Sequence, residues 1–458
     1  MDGALYLQPG PWRGRPQLPP SKSQQQRLIL AELGLALSQG RASIGKSQEL
    51  LVPPSSSEDV RVFFRAAEDL LAGRDRLDCA ENASALRFLL PMAAMAGREL
   101  DFCGRPRLLE RGWQGHVGPL SRLAYRLEAP SEERLCLRRL GGGSPCPPAP
   151  SGSSGTRLCL TLEAQQSSQY FTGWLFALGL SPRPWRLDVA QAVSLPYVEL
   201  SLTLLRRYGW ALRCQRDHRG RLLWLEGPAK AWSQPARPHK LPEMEADASA
   251  AACFYLARHL GHPLSLEPPS QLQGDGMIVP FLEYLSSGSE AVPESLGSLV
   301  LGRTAEAGLS CSTAQHPDLI FLLAIALAKK PGLHCLSDLH RLRKKESDRV
   351  SATVELLAAF GLESWISAEE GRPEEERLWI RGRDFGPRWL GAEGLSQRGD
   401  LPRIADHRIQ MAMALLASMA QRPCAIPEAD SVAKSFPQFW TVLEGLGAGI
   451  ERCERECI

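Results

Sequence analysis

Residues 344–349 read Lys-Lys-Glu-Ser-Asp-Arg, and an apolar helical pattern follows them over residues 350–360. The first turn of a helix carries partial positive charge and favours acidic side chains, so cations placed there cost energy unless an anion binds among them. Two more apolar runs open in this way, one with residues 21–27 (Ser-Lys-Ser-Gln-Gln-Gln-Arg) and one with residues 406–408 (Asp-His-Arg). Several such helix starts in one chain predict a pocket for small, highly charged anions.

A short polar motif followed by an apolar run that stops at Gly or Pro recurs along the chain. Polar N-caps and Gly or Pro stops are typical of helix ends. They predict helices over residues 21–37, 82–96, 167–178, 247–260, 317–330, 346–360, 406–420 and 436–446. Strand-like runs lie between them, such as residues 158–162, 222–225 and 378–380. Because the sequence has neither a Gly-x-Gly-x-x-Gly motif nor a Walker loop, it predicts an α/β protein built from repeats rather than a Rossmann domain.

The composition predicts an ordinary globular protein with two domains. Its 458 residues are many for one core, and 44% of them are apolar and 23% charged. A net charge of +2 argues against a nucleic-acid-binding protein held by bulk electrostatics. Only nine basic residues are lysines, and three of these, Lys22, Lys345 and Lys434, fall in the motifs discussed here. We therefore expect compact ammonium charges to be needed at those three positions.

The cysteines and the apolar segments predict a cytoplasmic protein. The twelve cysteines form no Cys-x-x-Cys pair, which favours reduced thiols over zinc or disulfides. Residues 1–20 lack the basic start and apolar core of a secretion signal. The longest apolar run, residues 319–328, is too short to span a bilayer.

Two segments rich in Pro, Gly and Ser interrupt the pattern. Residues 141–155 are predicted to form an exposed hairpin-like loop within a domain. Residues 232–242 are predicted to connect the two halves of the protein.

Nine motifs, taken in order along nearly the whole chain, resemble those of the enolpyruvyl transferase family, and most closely those of its members that act on shikimate 3-phosphate. Each motif is weak alone, but the common order makes chance a poor explanation. They are residues 18–27, 80–87, 167–169, 194–197, 245–249, 317–318, 345–349, 406–408 and 434–437.

The resemblance implies an α/β fold, a two-domain inside-out α/β barrel. Each domain would contain three βαβαββ repeats, and the active site would lie in the cleft between the domains. The family's chain begins in one half, crosses to the other and returns. This predicts one discontinuous lobe of residues 1–20 with 245–458, and a second lobe of residues 21–244.

The resemblance also implies the reaction. The enolpyruvyl group of phosphoenolpyruvate would pass to the 5-hydroxyl of shikimate 3-phosphate, with release of phosphate, in aromatic amino acid biosynthesis. The expected partners are these two small molecules, with no nucleic acid, membrane, metal or organic cofactor, and the expected state is a monomer. The two substrates together carry roughly −5 to −6 charge, which the basic residues of the motifs would balance.

Residue roles follow from the resemblance, position by position. The proposed shikimate 3-phosphate ligands are Lys22, Ser23, Arg27, Ser167, Ser168, Gln169, Ser194, Asp318, Arg341 and Lys345. The proposed phosphoenolpyruvate ligands are Lys22, Ala83, Arg111, Gln169, Arg349, Arg408 and Lys434. Asp318 is the implied base for the 5-hydroxyl, Glu346 the implied proton relay to the methylene carbon, and Lys22 a proton donor to the departing phosphate.

Six positions depart from the family pattern, among them Gln26 in place of the usual asparagine and Leu195 in place of a frequent lysine. Ala83 replaces a glycine beside the phosphoenolpyruvate site, and its methyl group predicts weak inhibition by the longer molecule glyphosate. Arg111 is followed by Gly112 instead of proline, and Arg341 replaces a frequent asparagine. Pro20 replaces the glycine before Ser21. The changes indicate a divergent branch that keeps its main cations and both carboxylates.

Three other functions stay open. UDP-N-acetylglucosamine enolpyruvyl transferase shares the implied fold and donor, but its reactive cysteine loop has no counterpart here. RNA 3′-terminal phosphate cyclase uses a related repeat fold but needs a histidine nucleophile and a basic surface. A non-catalytic anion-binding paralogue would have no need to retain Asp318 and Glu346.

Overall fold

The computed structural model describes residues 5–44, 48–141, 157–163, 167–190, 193–218, 220–233, 243–270, 272–304, 306–369, 372–385 and 401–452. The chain divides into two compact units. Unit 1 contains residues 1–20 and 246–458, and unit 2 contains residues 21–245. The predicted loop over residues 141–155 and the predicted connector over residues 232–242 lie almost entirely outside the described residues.

Helices and strands alternate along most of the described chain. The helices are α1 (Lys22–Ser38), α2 (Gln48–Leu51), α3 (Glu58–Leu71), α4 (Ala83–Met95), α5 (Pro106–Glu110), α6 (Val117–Arg122), α7 (Ser168–Ala177), α8 (Leu195–Arg207), α9 (Ala248–His259), α10 (Ile278–Ser287), α11 (Ile320–Lys329), α12 (Arg349–Ala359), α13 (His407–Ser418) and α14 (Phe439–Gly445). The strands are β1 (Leu5–Leu7), β2 (Arg76–Asp78), β3 (Leu100–Cys103), β4 (Tyr125–Ser131), β5 (Arg134–Arg139), β6 (Leu158–Glu163), β7 (Trp185–Ala190), β8 (Arg213–Arg216), β9 (Leu222–Gly227), β10 (Val300–Arg303), β11 (Leu309–Ser312), β12 (Gly332–Ser337), β13 (Ser364–Glu369), β14 (Arg372–Gly382), β15 (Cys424–Ile426) and β16 (Ile450–Arg452).

Unit 2 contains two four-stranded sheets with one shared topology, in the orders β2-β3-β5-β4 and β6-β7-β9-β8. In each sheet the first two strands are parallel, and the last two form an antiparallel hairpin whose second strand pairs with the second strand of the parallel pair. Helices α4 and α7 join the parallel strands, and α6 and α8 precede the hairpins. Each sheet with its helices is therefore one βαβαββ unit.

Unit 1 repeats this topology once and adds a second sheet. Strands β11-β12-β14-β13, with α11 and α12, form a βαβαββ unit that β10 extends at its edge. In the second sheet the order is β15-β1-β16, and the central strand β1 is antiparallel to both neighbours.

Each unit has its own hydrophobic core, which contains helices buried on all sides. In unit 2 every residue from Gln24 to Ala36 of α1 is buried. In unit 1 all of α13 is buried, as are residues 320–328 of α11. Beyond their first turns these helices are mainly apolar, because no face meets water. Their polar first turns therefore supply charged groups at the edge of the core.

Five of the eight predicted helices begin at their predicted caps. The side chains of Ser21, Asn82, Ser167, Asp247 and Asp406 each accept a hydrogen bond from a backbone amide of the following first turn. The predicted start of α12 at residue 346 is wrong, because Asp348 is the N-cap and the helix begins at Arg349. The helix predicted from residue 317 opens with a 3₁₀ turn, Pro317–Leu319, before α11 begins.

None of the helices in the described ranges combines the length and the apolar character that a membrane-spanning segment needs. The nine described cysteines are free thiols, and seven of them are buried.

Candidate active site

The first residue of α12 in unit 1 is a buried cation held by three carboxylates. The side chain of Arg349 is 1% exposed. Its Nη1 donates to Oδ1 of Asp318 at 2.6 Å and its Nη2 to Oε2 of Glu346 at 2.9 Å. Its Nε donates to Oδ2 of Asp406 at 2.9 Å. The cost of a cation at this helix start is therefore offset by acids of the protein itself.

Three cations surround the carboxylate of Asp318. Besides Arg349, Nζ of Lys345 lies 3.5 Å from Oδ1, and Nη2 of Arg408 lies 3.9 Å from Oδ2. Burial disfavours the charged form of Asp318, but Lys345, Arg349 and Arg408 outweigh it and hold the pKa of this carboxyl well below its usual range. Asp318 is therefore ionised in the protein alone.

Asp406 connects two of these cations. Its carboxylate is completely buried and accepts from Nε of Arg349, from the backbone amide of Arg408 at 2.9 Å and from Oγ of Ser347 at 3.1 Å. As the N-cap of α13 it fixes the start of the helix that carries Arg408. In the sequence, Asp406 was singled out only as part of the Asp-His-Arg triplet. Its pairing with Arg349 was not predicted.

Arg408 is 7% exposed and lies among acids from several segments. Burial lowers the pKa of its guanidinium, but Asp318, Asp247 and Asp275 more than reverse this effect. Among the described residues its Nε and Nη1 have no hydrogen-bond partner. These buried donors are suited to an anionic ligand.

Asp275 is a buried carboxyl that sequence reasoning missed. It lies in the 3₁₀ turn Gly274–Met277, is 2% exposed, and accepts a hydrogen bond from Oγ of Ser249. Burial and the neighbouring charge of Asp318 raise its pKa to about 6. A single aspartate in a turn carries no sequence signal for this environment.

The other two predicted ligands of unit 1 lie on short turns. Nη2 of Arg341 donates to the carbonyl of Ala314 at 2.6 Å, and burial lowers the pKa of Arg341. Lys434 ends the 3₁₀ helix Ala429–Lys434 and is partly buried. Their contacts with substrate stay predictions.

In unit 2 the starts of three helices are linked around Lys22. Nζ of Lys22 donates to Oδ2 of Asp59 at 2.9 Å, and the two side chains are 17% and 20% exposed. Nδ2 of Asn82 donates to the backbone carbonyl of Asp59 at 2.6 Å, while Oδ1 of Asn82 caps α4 by accepting from the amide of Ala85. Asp59 was not predicted, because its pairing with Lys22 joins residues far apart in sequence.

The start of α4 also meets the start of α7. Ala83, the first residue of α4, is 3% exposed. Oγ of the next residue, Ser84, accepts from Nε2 of Gln169 at 2.8 Å. Ser167 caps α7 through the amide of Gln169, and Ser168 is buried beside it. Ala83 and Gln169 are thus brought into one region of unit 2.

Arg111 reaches the same region from the end of α5. Its Nη1 donates to the carbonyl of Glu81 at 3.1 Å. Glu81 directly precedes the Asn82 cap of α4. Arg111 therefore lies beside the motif of residues 80–87, although Gly112, which follows it, departs from the family pattern.

Arg27 is more deeply engaged with the protein than the sequence suggested. It is 3% exposed, and it donates to Oγ of Ser201, to the carbonyls of Ser23 and Tyr197, and to Oγ1 of Thr172. Burial lowers its pKa to about 10. Arg27 therefore ties α1 to α7 and α8, and its contact with an anion stays a prediction.

Ser194, the remaining predicted ligand, is the N-cap of α8. It has a left-handed backbone, with φ of 53°, and is buried. A serine in this conformation is uncommon and is held by its surroundings.

The predicted site residues are divided between the two units. Those of unit 2 are Lys22, Ser23, Arg27, Ala83, Arg111, Ser167, Ser168, Gln169 and Ser194. Those of unit 1 are Asp318, Arg341, Lys345, Glu346, Arg349, Arg408 and Lys434. Among the described residues, no group of three or more His, Cys, Asp and Glu side chains is arranged to hold a metal ion.

Comparisons with known proteins agree with this arrangement. A family model described as EPSP synthase (3-phosphoshikimate 1-carboxyvinyltransferase) matches residues 48–443. The 3-phosphoshikimate 1-carboxyvinyltransferase of Clostridium kluyveri is 26% identical over 463 residues, covering 98% of each chain. The protein of that name from Halobacterium salinarum is 29% identical over 469 residues, covering 96% of this chain and 98% of the other.

Solved structures show the same fold. The EPSP synthase of Acinetobacter baumannii superposes with a TM-score of 0.60 at 16% identity, covering 99% of this chain and 100% of the other. The enolpyruvyl transferase NikO of Streptomyces tendae gives a TM-score of 0.60 at 12% identity, covering 99% of both chains. The predicted α/β enolpyruvyl transferase fold is confirmed. Because the family model spans most of its length, the chain belongs to the EPSP synthase family.

Proposed function

We propose that this protein transfers the enolpyruvyl group of phosphoenolpyruvate to the 5-hydroxyl of shikimate 3-phosphate and releases phosphate. The observation that carries the proposal is the position of Asp318 among Lys345, Arg349 and Arg408, with Glu346 on the same arginine. A carboxylate ringed by cations is suited to act as a base beside two anionic substrates.

Each bond change has a candidate residue. The 5-hydroxyl oxygen bonds to C2 of phosphoenolpyruvate while its proton passes to Asp318. The C3 methylene takes a proton that Glu346, a carboxylate paired with Arg349, relays from solvent. The tetrahedral adduct then loses a C3 proton, which Glu346 relays back to solvent, as the bond between C2 and the phosphate oxygen breaks. Lys22 gives a proton to the departing phosphate, and the proton held by Asp318 returns to Lys22 through solvent.

A carboxyl group with a lowered pKa is a weak base, and the charges around Asp318 explain how it would still accept the proton of the 5-hydroxyl. In the protein alone its neighbouring cations hold its pKa well below the usual range, so the carboxylate is ionised and ready. When the phosphate and carboxylate groups of the substrates pair with those cations, less of their charge acts on Asp318. Its affinity for a proton then rises at the moment when the hydroxyl must lose one.

The two cations at the start of α12 and α13 have complementary tasks in this proposal. Arg349 is held on three sides and supplies a fixed charge. Arg408 has free buried donors and supplies hydrogen bonds to the donor substrate. Lys22, held by Asp59, is the counterpart in unit 2.

Phosphate release measured with phosphoenolpyruvate and shikimate 3-phosphate tests the proposal. We expect turnover with this acceptor and none with UDP-N-acetylglucosamine. Asp318→Asn and Glu346→Gln should each lower kcat by about two or more orders of magnitude. Glu355→Gln is the control, because Glu355 is exposed on the same helix α12. Faster turnover with the sugar nucleotide, or near-normal activity of both site variants, would refute the assignment.

We also propose that the protein acts as a cytoplasmic monomer. Support comes from its nine free described cysteines, since unpaired buried thiols are typical of reducing compartments. Light scattering on the purified protein should give the mass of one chain, and a dimer mass would contradict the proposal.

A further inference from the structure

One buried arginine that is not among the predicted site residues contacts two of those residues at once. Arg87, on α4, is 7% exposed. Its Nη1 donates to Oε1 of Gln169 at 2.7 Å, its Nε donates to the carbonyl of Gly112 at 3.1 Å, and its Nη2 donates to the carbonyl of Arg111. The guanidinium also lies over the ring of Tyr170, 5.0 Å from the ring centre.

The contact of Arg87 with Gln169 fixes the orientation of the glutamine amide. A guanidinium only donates hydrogen bonds, so the amide oxygen must face it. The amide nitrogen of Gln169 then faces the other way and donates to Oγ of Ser84 at 2.8 Å. An anion accepts hydrogen bonds and cannot donate them, so only this orientation lets Gln169 contribute an N–H group to phosphate.

The contacts of Arg87 with the two carbonyls fix the segment that ends α5. Arg111 is the C-cap of α5, and Gly112 follows with a φ of 92°, in the left-handed region that favours glycine. Two adjacent carbonyls held by one guanidinium leave this turn little freedom. The side chain of Arg111 therefore starts from a fixed backbone.

We infer that Arg87 is a positioning residue that aims the Gln169 amide and the Arg111 side chain at the phosphoenolpyruvate phosphate. The inference rests on the proposed function. Lysine would keep the charge but could not replace arginine, because its donors radiate from one atom and cannot reach acceptors on two segments as a planar fork does.

A matched control exists in the same unit. Arg139, on β5, lies over the ring of Tyr125 at 5.6 Å and donates to the carbonyl of Gly97 at 2.8 Å. It makes the same kinds of contact as Arg87 but touches no predicted site residue among the contacts described. Because Arg139 is half-buried, Arg139→Lys should show a smaller structural cost of the same kind, without an effect on substrate.

The test compares Arg87→Lys, Arg139→Lys and the unaltered protein by thermal unfolding and steady-state kinetics. We expect Arg87→Lys to raise KM for phosphoenolpyruvate about tenfold and to leave kcat within about threefold, since contacts equal in the ground and transition states affect KM alone. The Kd of shikimate 3-phosphate alone should rise less than this KM, because Gln169 contacts Arg87 while the other proposed ligands Lys22, Ser23 and Arg27 have no described contact with it. Arg139→Lys should change Tm but neither constant.

Equal KM values for the two lysine variants would overturn the inference, and so would a parallel rise in KM and in the Kd of shikimate 3-phosphate. If Arg87→Lys does not fold, Gln169→Glu is tested in its place. The glutamate carboxylate keeps the contact with Arg87 but presents an acceptor, instead of an N–H donor, to the anion. This variant should raise KM for phosphoenolpyruvate at least as far. An unchanged KM in that variant also overturns the inference. An unaltered protein that turns over neither acceptor refutes the proposed function itself, and this inference with it.

Discussion

The buried carboxylate of Asp406 accepts a hydrogen bond from Nε of Arg349 at 2.9 Å, and the two side chains are 0% and 1% exposed. Asp406 also receives the backbone amide of Arg408. One acid therefore stabilises a cation on α12 and fixes the helix start that carries a second cation on α13.

Asp406→Asn should lower both stability and activity. Removing the charge from one partner of a buried ion pair leaves the other uncompensated and costs about 3 to 5 kcal/mol when the pair is broken fully. We expect a loss of unfolding free energy near the lower end of this range, because asparagine keeps an acceptor oxygen. We also expect kcat/KM to fall at least about tenfold, because Arg349 and Arg408 would be displaced. Denaturant unfolding and phosphate release measure the two effects.

Asp384→Asn is the control for that variant. Asp384 pairs with Lys329 in the same unit, but its side chain is 79% exposed. Exposed pairs contribute little to stability. If the two variants lose equal stability, the buried cluster is not the stabilising feature described here.

The stability of Asp275→Asn relative to the unaltered protein should depend on pH. Burial raises the pKa of Asp275 from its ordinary value of 3.8 to about 6, so the folded protein binds this proton more tightly than the unfolded chain. Ionising the group therefore destabilises the fold as pH rises from about 4 to about 6. The advantage of the neutral asparagine should grow over this window by up to roughly 3 kcal/mol. Urea unfolding at pH 4, 5, 6 and 7 would show it, and a difference independent of pH would contradict it.

His262 should make unit 1 sensitive to acid. Its Nδ1 accepts from the backbone amide of Trp12 at 2.8 Å, and its Nε2 lies 3.2 Å from Oγ of Ser418. Burial lowers its pKa to about 4, so the unfolded chain binds the proton more tightly. This contribution to stability is complete above about pH 6.5 and is lost as pH falls toward 4, by up to roughly 3 kcal/mol.

His262→Gln tests that prediction, because glutamine can accept and donate but does not titrate. The stability gap between the two proteins should narrow as pH falls from 6.5 to 4. A constant gap would show that another group is responsible.

Ala83→Gly should make the protein more sensitive to glyphosate. Ala83 is the first residue of α4, and the next residue, Ser84, accepts a hydrogen bond from Gln169. Removing the methyl group of Ala83 should enlarge the proposed phosphoenolpyruvate pocket and lower the half-inhibitory concentration of glyphosate about tenfold or more, the effect of roughly one methylene-sized contact at a tight site. Inhibition assays at fixed phosphoenolpyruvate measure this.

Ala93→Gly is the matched control for the same helix. Ala93 is buried near the other end of α4, where glycine carries a similar helix penalty but is remote from Gln169. Micromolar inhibition of the unaltered protein, or equal sensitivity of both variants, would contradict the role of Ala83.

The starts of the helices were largely predictable from the sequence. Ser21, Asn82 and Asp406 precede apolar runs and act as the caps that local chemistry favours. Local pattern failed at α12, where it placed the start three residues before the true one at Arg349. There the side chain of Asp348 both caps the helix and accepts from Arg343, which no local pattern shows.

The counter-charges of the site were not predictable. Asp59 meets Lys22 across 37 residues, and Asp406 meets Arg349 across 57. Such pairs depend on how helices pack in three dimensions, and neither acid differs locally from an ordinary helix-start residue. Arg87 belongs to the motif of residues 80–87, but its contacts with Gln169 and Gly112 depend on the fold and were not predicted.

Strand β1 occupies the middle of its sheet, between β15 and β16. During synthesis the ribosome makes β1 long before its two neighbours, so β1 has no partner in this sheet until residues 424–426 and 450–452 have emerged. All of residues 21–245 are made in the interval and can assemble as a unit before then. The nascent chain is thus expected to assemble unit 2 while β1 stays unpaired, and to complete unit 1 only when β15 and β16 have been made.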